Sequence, residues 1–305
     1  MLEYNLISVI GPTATGKTSL AVAFASKKNA EIISADSRQV YRGMDIGTGK
    51  DLDEYGISGA SIPYHLIDIV EAGYKYNVFE YQRDFLKIFE KITNEGKLPV
   101  LCGGSGLYIE AVLKGYKLVE VPPDAELRKL LENKSLVELI NMLSSMKKLH
   151  NTTDVDTVKR AIRAIEIEIY SQKNPAKKTF GAEIKSLNFG IYFDRQKQKE
   201  KISIRLKERL ENGMIDEVQR ILNQGISSED LIYYGLEYKF VTEYLIGKLK
   251  YDEMFRLLEI AIHQFSKRQM TWFRRMERNG VEIHWINGTL STEEKVGEME
   301  RVWGK

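Results

Sequence analysis

Leu6-Ile7-Ser8-Val9-Ile10-Gly11-Pro12-Thr13-Ala14-Thr15-Gly16-Lys17-Thr18 joins an apolar run to the pattern G-x-x-x-x-G-K-[ST]. The run reads as a buried parallel strand, and Leu20, Ala21, Ala23 and Phe24 mark the stretch from Lys17 onward as a helix. The glycine-bearing loop between them turns backbone N–H groups toward an anion at the helix N-terminus. Gly11, Pro12, Thr13, Ala14, Thr15 and Gly16 thus form a phosphate cradle, Lys17 neutralises phosphate charge, and the Thr18 hydroxyl suits Mg²⁺. The chain is expected to bind a di- or triphosphate. ATP, GTP and other pyrophosphate esters all fit such a cradle.

Working outward, Ala30-Glu31-Ile32-Ile33-Ser34-Ala35 reads as a second strand that ends at Asp36-Ser37-Arg38-Gln39-Val40-Tyr41. Leu98-Pro99-Val100-Leu101-Cys102 reads as another, ending at Gly103-Gly104-Ser105-Gly106 and opening a helix with Leu107, Tyr108, Val112 and Leu113. In a parallel sheet built from right-handed crossovers, all strand C-termini lie on one edge, where ligands bind. The cradle, Asp36 to Gln39 and Ser105 should therefore line one pocket of an α/β, P-loop NTPase-like sheet flanked by helices. A carboxylate, an amide and a hydroxyl facing a phosphate cradle look like a reaction centre. Asp36 fits a general base, with a water-mediated Mg²⁺ ligand as the alternative. Ser105 fits either a helix N-cap or a substrate contact. His65 has no neighbour at metal-ligand spacing and reads as a packed or hydrogen-bonded core histidine.

At 305 residues the chain accommodates one main domain with a substantial insertion. A formal net charge of +2 is too small to argue for nucleic acid, so any basic surface must come from local clusters. The single cysteine, Cys102, excludes an intramolecular disulfide and fits a reducing cytosol. No apolar stretch approaches the roughly 18 residues of a spanning helix, and no signal-peptide pattern opens the chain, so a cytoplasmic protein without membrane contact is expected.

GPTATGKT, DSRQVYRGMDIGTGK, GGSGLYI and KRQMTWFRR occur in that order and resemble the tRNA dimethylallyltransferases, also called tRNA isopentenyltransferases, from about Leu6 to Trp285. The resemblance implies that Gly11 to Thr18 hold the pyrophosphate of dimethylallyl diphosphate rather than ATP. It implies transfer of the prenyl group to the exocyclic amine of the adenosine flanking the anticodon of tRNA. Asp36 would take the amine proton, with Lys17, Thr18, the loop N–H groups and Mg²⁺ stabilising the leaving diphosphate. Along a helix after Asp194-Arg195, marked by Ile202, Leu206 and Leu210, the family's pyrophosphate-binding arginine falls on Arg205, with Arg195 as a second. Contacts to tRNA fall on Asp36, Ser37, Arg38, Gln39, Ser105, Arg128, Lys159, Arg160, Arg163, Lys267, Arg268, Gln269 and Arg274.

The expected domains are a first core segment 1–115, a helical insertion lobe 116–186 that grips the anticodon stem, and a second core segment 187–305. Leu136, Leu139, Ile140 and Leu143, then Val158, Ile162, Ile165 and Ile169, give the lobe its helical period; Lys159, Arg160, Arg163, Lys173, Lys177 and Lys178 give it charge. Farther on, Phe255, Leu258, Ile262, Phe265, Trp272 and Met276 predict a core stripe broken by Gln269. Lys267, Thr271, Arg274, Arg275 and Arg278 form another face, where arginines beside Trp272 and Phe273 suit phosphates and an unstacked base, although both aromatics also fit a core. Three positions depart from the family pattern: Glu237 where glycine is usual, Asp156-Thr157 in place of an Asn-Asp pair, and Ser105 in place of threonine. After Trp285 there is no Cys/His metal module, and Gly288 to Lys305 reads as a short polar helix. A monomer is expected. A free-nucleotide dimethylallyltransferase, a P-loop small-molecule kinase and an RNA-binding NTPase are the rival readings.

Overall fold

The computed structural model describes residues 4–57, 60–147, 155–174 and 183–304. These fall into two compact units, Met1–Gly115 with Gly181–Lys305, and Tyr116–Phe180.

The larger unit opens with β1 (Leu6–Ile10), α1 (Lys17–Ala25) and β2 (Ala30–Ala35). A short 3₁₀ turn at Leu52–Tyr55 precedes a two-stranded ribbon, β3 (Gly56–Ile57) and β4 (Ala60–Ser61), and then come β5 (Tyr64–His65), α2 (Val78–Asn94), β6 (Leu98–Gly103) and α3 (Gly106–Leu113). Among its described residues the smaller unit contains α4 (Ala125–Leu131), α5 (Leu136–Met146) and α6 (Val158–Lys173). The chain returns through β7 (Ser186–Tyr192), α7 (Arg195–Glu211), α8 (Met214–Asn223), α9 (Ser228–Tyr233), α10 (Leu236–Leu245), α11 (Tyr251–Arg278), β8 (His284–Asn287) and α12 (Thr292–Trp303).

Six strands form one sheet in the order β5-β2-β6-β1-β7-β8, with every pairing parallel. β1 lies inside it, with Ile7 opposite Val100 of β6 and Leu187 of β7. Its side chains alternate between two apolar layers, as a strand buried on both faces requires. Leu6 and Ile10 join a cluster with Phe85, Ile109, Leu206 and Phe273, whereas Ile7 and Val9 join Phe24, Cys102, Val296 and Met299. Ser8 interrupts the strand without cost in unpaired groups, because its Oγ donates to Asn188 Oδ1 at 2.8 Å and Asn188 Nδ2 donates to the Glu282 carbonyl at 3.0 Å.

The expected stripe on α11 is buried at Leu258, Ile262 and Met276, and Phe255 and Trp272 pack against the same core. Met254, Leu258, Ile262, Ser266, Gln269, Phe273 and Met276 form the helix's buried face, while Phe265 is 39% exposed and Trp272 only half-buried. The buried face runs through Gln269 because that segment packs on the phosphate loop rather than on hydrocarbon.

The smaller unit has its own core of Leu131, Leu139, Leu143, Ala161, Ile162 and Ile165, whereas Val158 of the expected stripe is exposed. Its helices start on side-chain caps from Asp124, Ser135 and Thr157. At its centre the buried Glu166 carboxylate accepts from Arg128 Nε and Nη2, each at 2.9 Å, from the Asp124 N–H at 2.6 Å, and from Arg163 Nη1. Burial alone would raise that carboxyl's pKa, but the bonds from Arg128, Asp124 and Arg163 outweigh it and hold the group below its ordinary value.

Candidate active site at the phosphate-binding loop

The loop after β1 is shaped by backbone that side chains resist. Gly11 has φ 153°, and a Cβ there would lie 2.8 Å from the Ile191 carbonyl oxygen; Gly16 caps α1 in the left-handed region at φ 76°, and Ala14 carries φ 59° without glycine's freedom. Thr15 Oγ1 and Lys17 Nζ both donate to the Pro12 carbonyl, at 2.9 and 2.7 Å. Two glutamines clamp the loop from outside: Gln269 Oε1 accepts from the Thr13 N–H at 2.9 Å, and Gln198 Nε2 donates to the Thr13 carbonyl at 2.6 Å. The Lys17 ammonium is lowered to about 8, first by burial and further by Arg205, against the opposing pull of Cys102, Asp36 and Glu54.

Three strand ends meet here. The Ser37 N–H donates to Ser105 Oγ at 2.9 Å, and the Ser105 N–H donates to the Ala35 carbonyl at 3.1 Å, which ties the end of β2 to the end of β6. Ser105 occupies the N-cap of α3 but makes no side-chain cap, so its hydroxyl serves the strand-end turn instead. Asp36 Oδ1 accepts from the Arg38 N–H at 2.8 Å, while no hydrogen bond among the described residues uses Oδ2. The glycines of Gly103-Gly104 permit this closeness: a Cβ on Gly103 would collide with the Ala35 carbonyl, and one on Gly104 would lie 2.6 Å from Gln269 Nε2.

The loop from Tyr41 to Asp51 reaches the site through Asp51 and Gly49, which meet Arg205. Lys50 is buried, with Nζ donating to the Tyr41 carbonyl at 2.6 Å, to Asp45 Oδ1 at 2.7 Å and to Asp68 Oδ1. Glu217 of α8 accepts the N–H groups of Asp45, Ile46 and Gly47 at 2.8, 2.8 and 3.0 Å, and the Tyr238 hydroxyl at 2.7 Å. Gln39 is consumed at the same loop, donating from Nε2 to the Gly49 carbonyl at 2.9 Å and accepting from Ser34 Oγ at 3.1 Å. Arg205 Nη2 pairs with Asp51 Oδ2 at 2.7 Å and faces a cavity bordered by Thr13, Ala14, Ile202, Arg209 and Glu237. Arg195, expected as a second diphosphate ligand, is exposed at the start of α7 and does not border that cavity.

The expected RNA contacts separate into two groups. Lys159 and Arg160 of α6, and Lys267, Arg268 and Arg274 of α11, are exposed; Arg160 also pairs with Asp156 at 2.7 Å. Arg38 sets its guanidinium 5.5 Å from the Tyr233 ring centre. The amides of Gln39 and Gln269 are spent on the protein's own backbone, whereas Arg128 and Arg163 bond the buried Glu166 while their side chains stay 45% and 40% exposed. Arg275 pairs with buried Glu110 at 2.6 Å and lies 4.1 Å over Trp272. Lys177 and Lys178 lie outside the described residues. Sequence reasoning missed Gln198, Arg209 and Glu217. Only Arg209 had a local signal, standing one turn beyond Arg205 on the same helix.

Among the described residues no group of three or more His, Cys, Asp or Glu side chains could hold a metal ion. The hydroxyl of Thr18 and the open oxygen of Asp36 suit Mg²⁺, which takes one or two protein ligands and completes its shell with phosphate oxygens and water. His65 shares Glu31 with Lys97, at 2.6 and 2.5 Å, and is a hydrogen-bonded structural residue. No helix among the described residues is long and apolar enough to cross a membrane.

The pattern of the family described as IPP transferase matches residues 39–276, and that described as isopentenyl transferase matches residues 4–64. A protein from Bacteroides fragilis named tRNA dimethylallyltransferase 2 is 62% identical over 301 residues, covering 99% of this chain and 98% of that protein. One from Parabacteroides distasonis, named tRNA dimethylallyltransferase 1, is 61% identical over 302 residues, again 99% of this chain and 98% of the relative. The crystal structure of a full-length tRNA isopentenylpyrophosphate transferase from Bacillus halodurans superimposes with a TM-score of 0.71 at 30% identity, covering 98% of this chain and 95% of that one.

Proposed function

The chain belongs to the tRNA dimethylallyltransferase family, and from that premise we propose that it moves the dimethylallyl group of dimethylallyl diphosphate onto the exocyclic amine of the adenosine beside the anticodon. It is a prenyltransferase that modifies tRNA. The observation that carries the detailed reading is the junction of strand ends, where Asp36 and the Ser37–Ser105 bond face the loop containing Lys17.

The adenine amine is a weak nucleophile because its lone pair is delocalised into the ring. As the new C–N bond forms and the C–O bond of the donor breaks, the amine proton passes to Asp36 and the electron pair leaves with the diphosphate. Lys17, Arg205 and the loop N–H groups meet the charge that develops there. Mg²⁺, held through Thr18, would add Lewis-acid stabilisation of the same oxygens. We assign the exposed Lys159 and Arg160, and likewise Lys267, Arg268 and Arg274, to tRNA phosphates. A monomer working in the cytoplasm fits this task.

The test is mass spectrometry of bulk tRNA after incubation with purified protein, Mg²⁺ and dimethylallyl diphosphate. The expected result is a prenyl mass gain on a single adenosine. Prenylation of AMP or ATP in preference to tRNA would favour the free-nucleotide reading, and phosphoryl transfer from ATP would favour a kinase.

A further inference from the structure

Arg209 is a largely buried cation with a distant counter-ion. Its side chain is 13% exposed, its nearest carboxylate oxygen is Glu237 Oε1 at 3.8 Å, and its Nε has no hydrogen-bond partner. Desolvation and the adjacent Arg205 both lower its pKa, against the opposing pull of Glu237 and Asp51. Both arginines pack on Gly49, whose left-handed backbone at φ +64° brings it under them. A Cβ there would overlap Arg209 Nη2 and fall 2.6 Å from Arg205 Nη2. Two guanidinium groups side by side in a partly dry cavity repel one another, and an incompletely bonded buried charge is costly. Such a pair of cations suits an anion. The same cavity is bordered by Thr13 and Ala14 of the phosphate loop, so an anion held on that loop would have both guanidinium groups beside it.

We infer that Arg209 is a second guanidinium ligand of the donor's diphosphate, acting beside Arg205, and that Glu237 is the counter-ion that steadies it while the donor is away. This rests on the reading of dimethylallyl diphosphate as donor. Arg209 grips the non-bridging oxygens that gain charge as the C–O bond breaks, so its loss affects both binding and turnover. It also makes the site select a diphosphate over a monophosphate ester, since a single phosphate on the loop leaves one of the two guanidinium groups unmet. The departure at Glu237 noted in the sequence thereby acquires a role, as the partner of an arginine one turn beyond the expected one.

The experiment is calorimetric titration of inorganic pyrophosphate, dimethylallyl diphosphate and dimethylallyl monophosphate, with Mg²⁺, into wild type, Arg209→Met, Glu237→Gln and the double variant. Arg209→Met should weaken pyrophosphate by roughly 10- to 150-fold, the range for a hydrogen bond to a charged group, and should weaken the monophosphate far less. Glu237→Gln should bind pyrophosphate at least as tightly as wild type. The double variant, which leaves no unpaired buried charge and so folds even where the single one does not, should remain as weak as Arg209→Met. Wild-type pyrophosphate affinity in the double variant would overturn the proposal, reducing the pair to a structural ion pair. A wild-type protein that binds neither pyrophosphate nor dimethylallyl diphosphate would overturn the donor reading itself, and this inference with it.

Discussion

Replacing Gln269 with methionine removes a clamp while keeping the side chain's length. Two hydrogen bonds vanish: the Thr13 N–H loses its acceptor at 2.9 Å, and the Gly104 carbonyl loses its donor at 2.9 Å. Both orphaned groups sit under a residue only 7% exposed, where water does not readily replace the amide. Each stranded backbone group costs about 1–3 kcal/mol, so the variant should lose about 2–6 kcal/mol of stability. The same bonds fix Thr13 in the phosphate loop, so pyrophosphate affinity should fall too. Urea denaturation followed by circular dichroism and titration of pyrophosphate measure the two effects. Gln269→Glu sharpens the test: one oxygen still accepts from Thr13, but the other replaces an N–H and faces the Gly104 carbonyl, and the added charge opposes the diphosphate. It should therefore bind pyrophosphate more weakly than the methionine variant. A methionine variant of wild-type stability and pyrophosphate affinity, impaired only toward tRNA, would refute the clamp and return Gln269 to the RNA surface.

Asp36→Asn should retain pyrophosphate affinity while slowing prenyl transfer by about 10²- to 10⁴-fold in single-turnover assays; loss of Mg²⁺-dependent affinity at an unchanged chemical rate would make Asp36 a metal ligand. The free enzyme holds the Lys17 ammonium at about 8, and a bound diphosphate favours the charged form and raises it. This contribution to affinity is therefore complete below pH 8 and declines above it by up to about tenfold per pH unit, because binding must then take up a proton. Titration of pyrophosphate from pH 7 to about 9.5 checks the slope, which Lys17→Ala should abolish. Neutralising Lys267 together with Arg274 should weaken tRNA binding and reduce the log–log salt slope by roughly one per lost phosphate contact, with pyrophosphate titration unchanged; a wild-type slope would make both merely solvated charges.

What the sequence reveals and conceals at this site follows from the reach of the interactions. The phosphate loop is local chemistry, a strand and a helix start within thirteen residues of chain, so its pattern is visible. Asp36 and Ser105 are far apart in sequence, but the rule that parallel strands end on one edge brings them together without coordinates. Glu217 has no such rule. Its carboxylate organises three N–H groups some 170 positions away, and nothing in Gly213-Met214-Ile215-Asp216-Glu217 announces it. Arg128 and Arg163 look like solvent-facing cations by spacing, and only the fold of the smaller unit reveals the buried glutamate between them. On α11 the spacing marks Leu258, Ile262 and Met276 but not the use of Gln269, because glutamine reads as surface until the surface in question is a backbone loop that needs an amide.

Cys102 lies on β6 in the apolar layer that also holds Ile7, Val9 and Phe24, and burial pushes its thiol up to about 12, against the pull of Lys17. A thiol in that state is nearly inert to alkylating reagents while the sheet stays closed. The protein thus contains a single chemical clock: the rate at which Cys102 is labelled reads the frequency with which the middle of the sheet opens, free of interference from any other cysteine. A ligand that settles on the loop should slow that clock in proportion to its affinity, which makes donor binding measurable without any turnover at all.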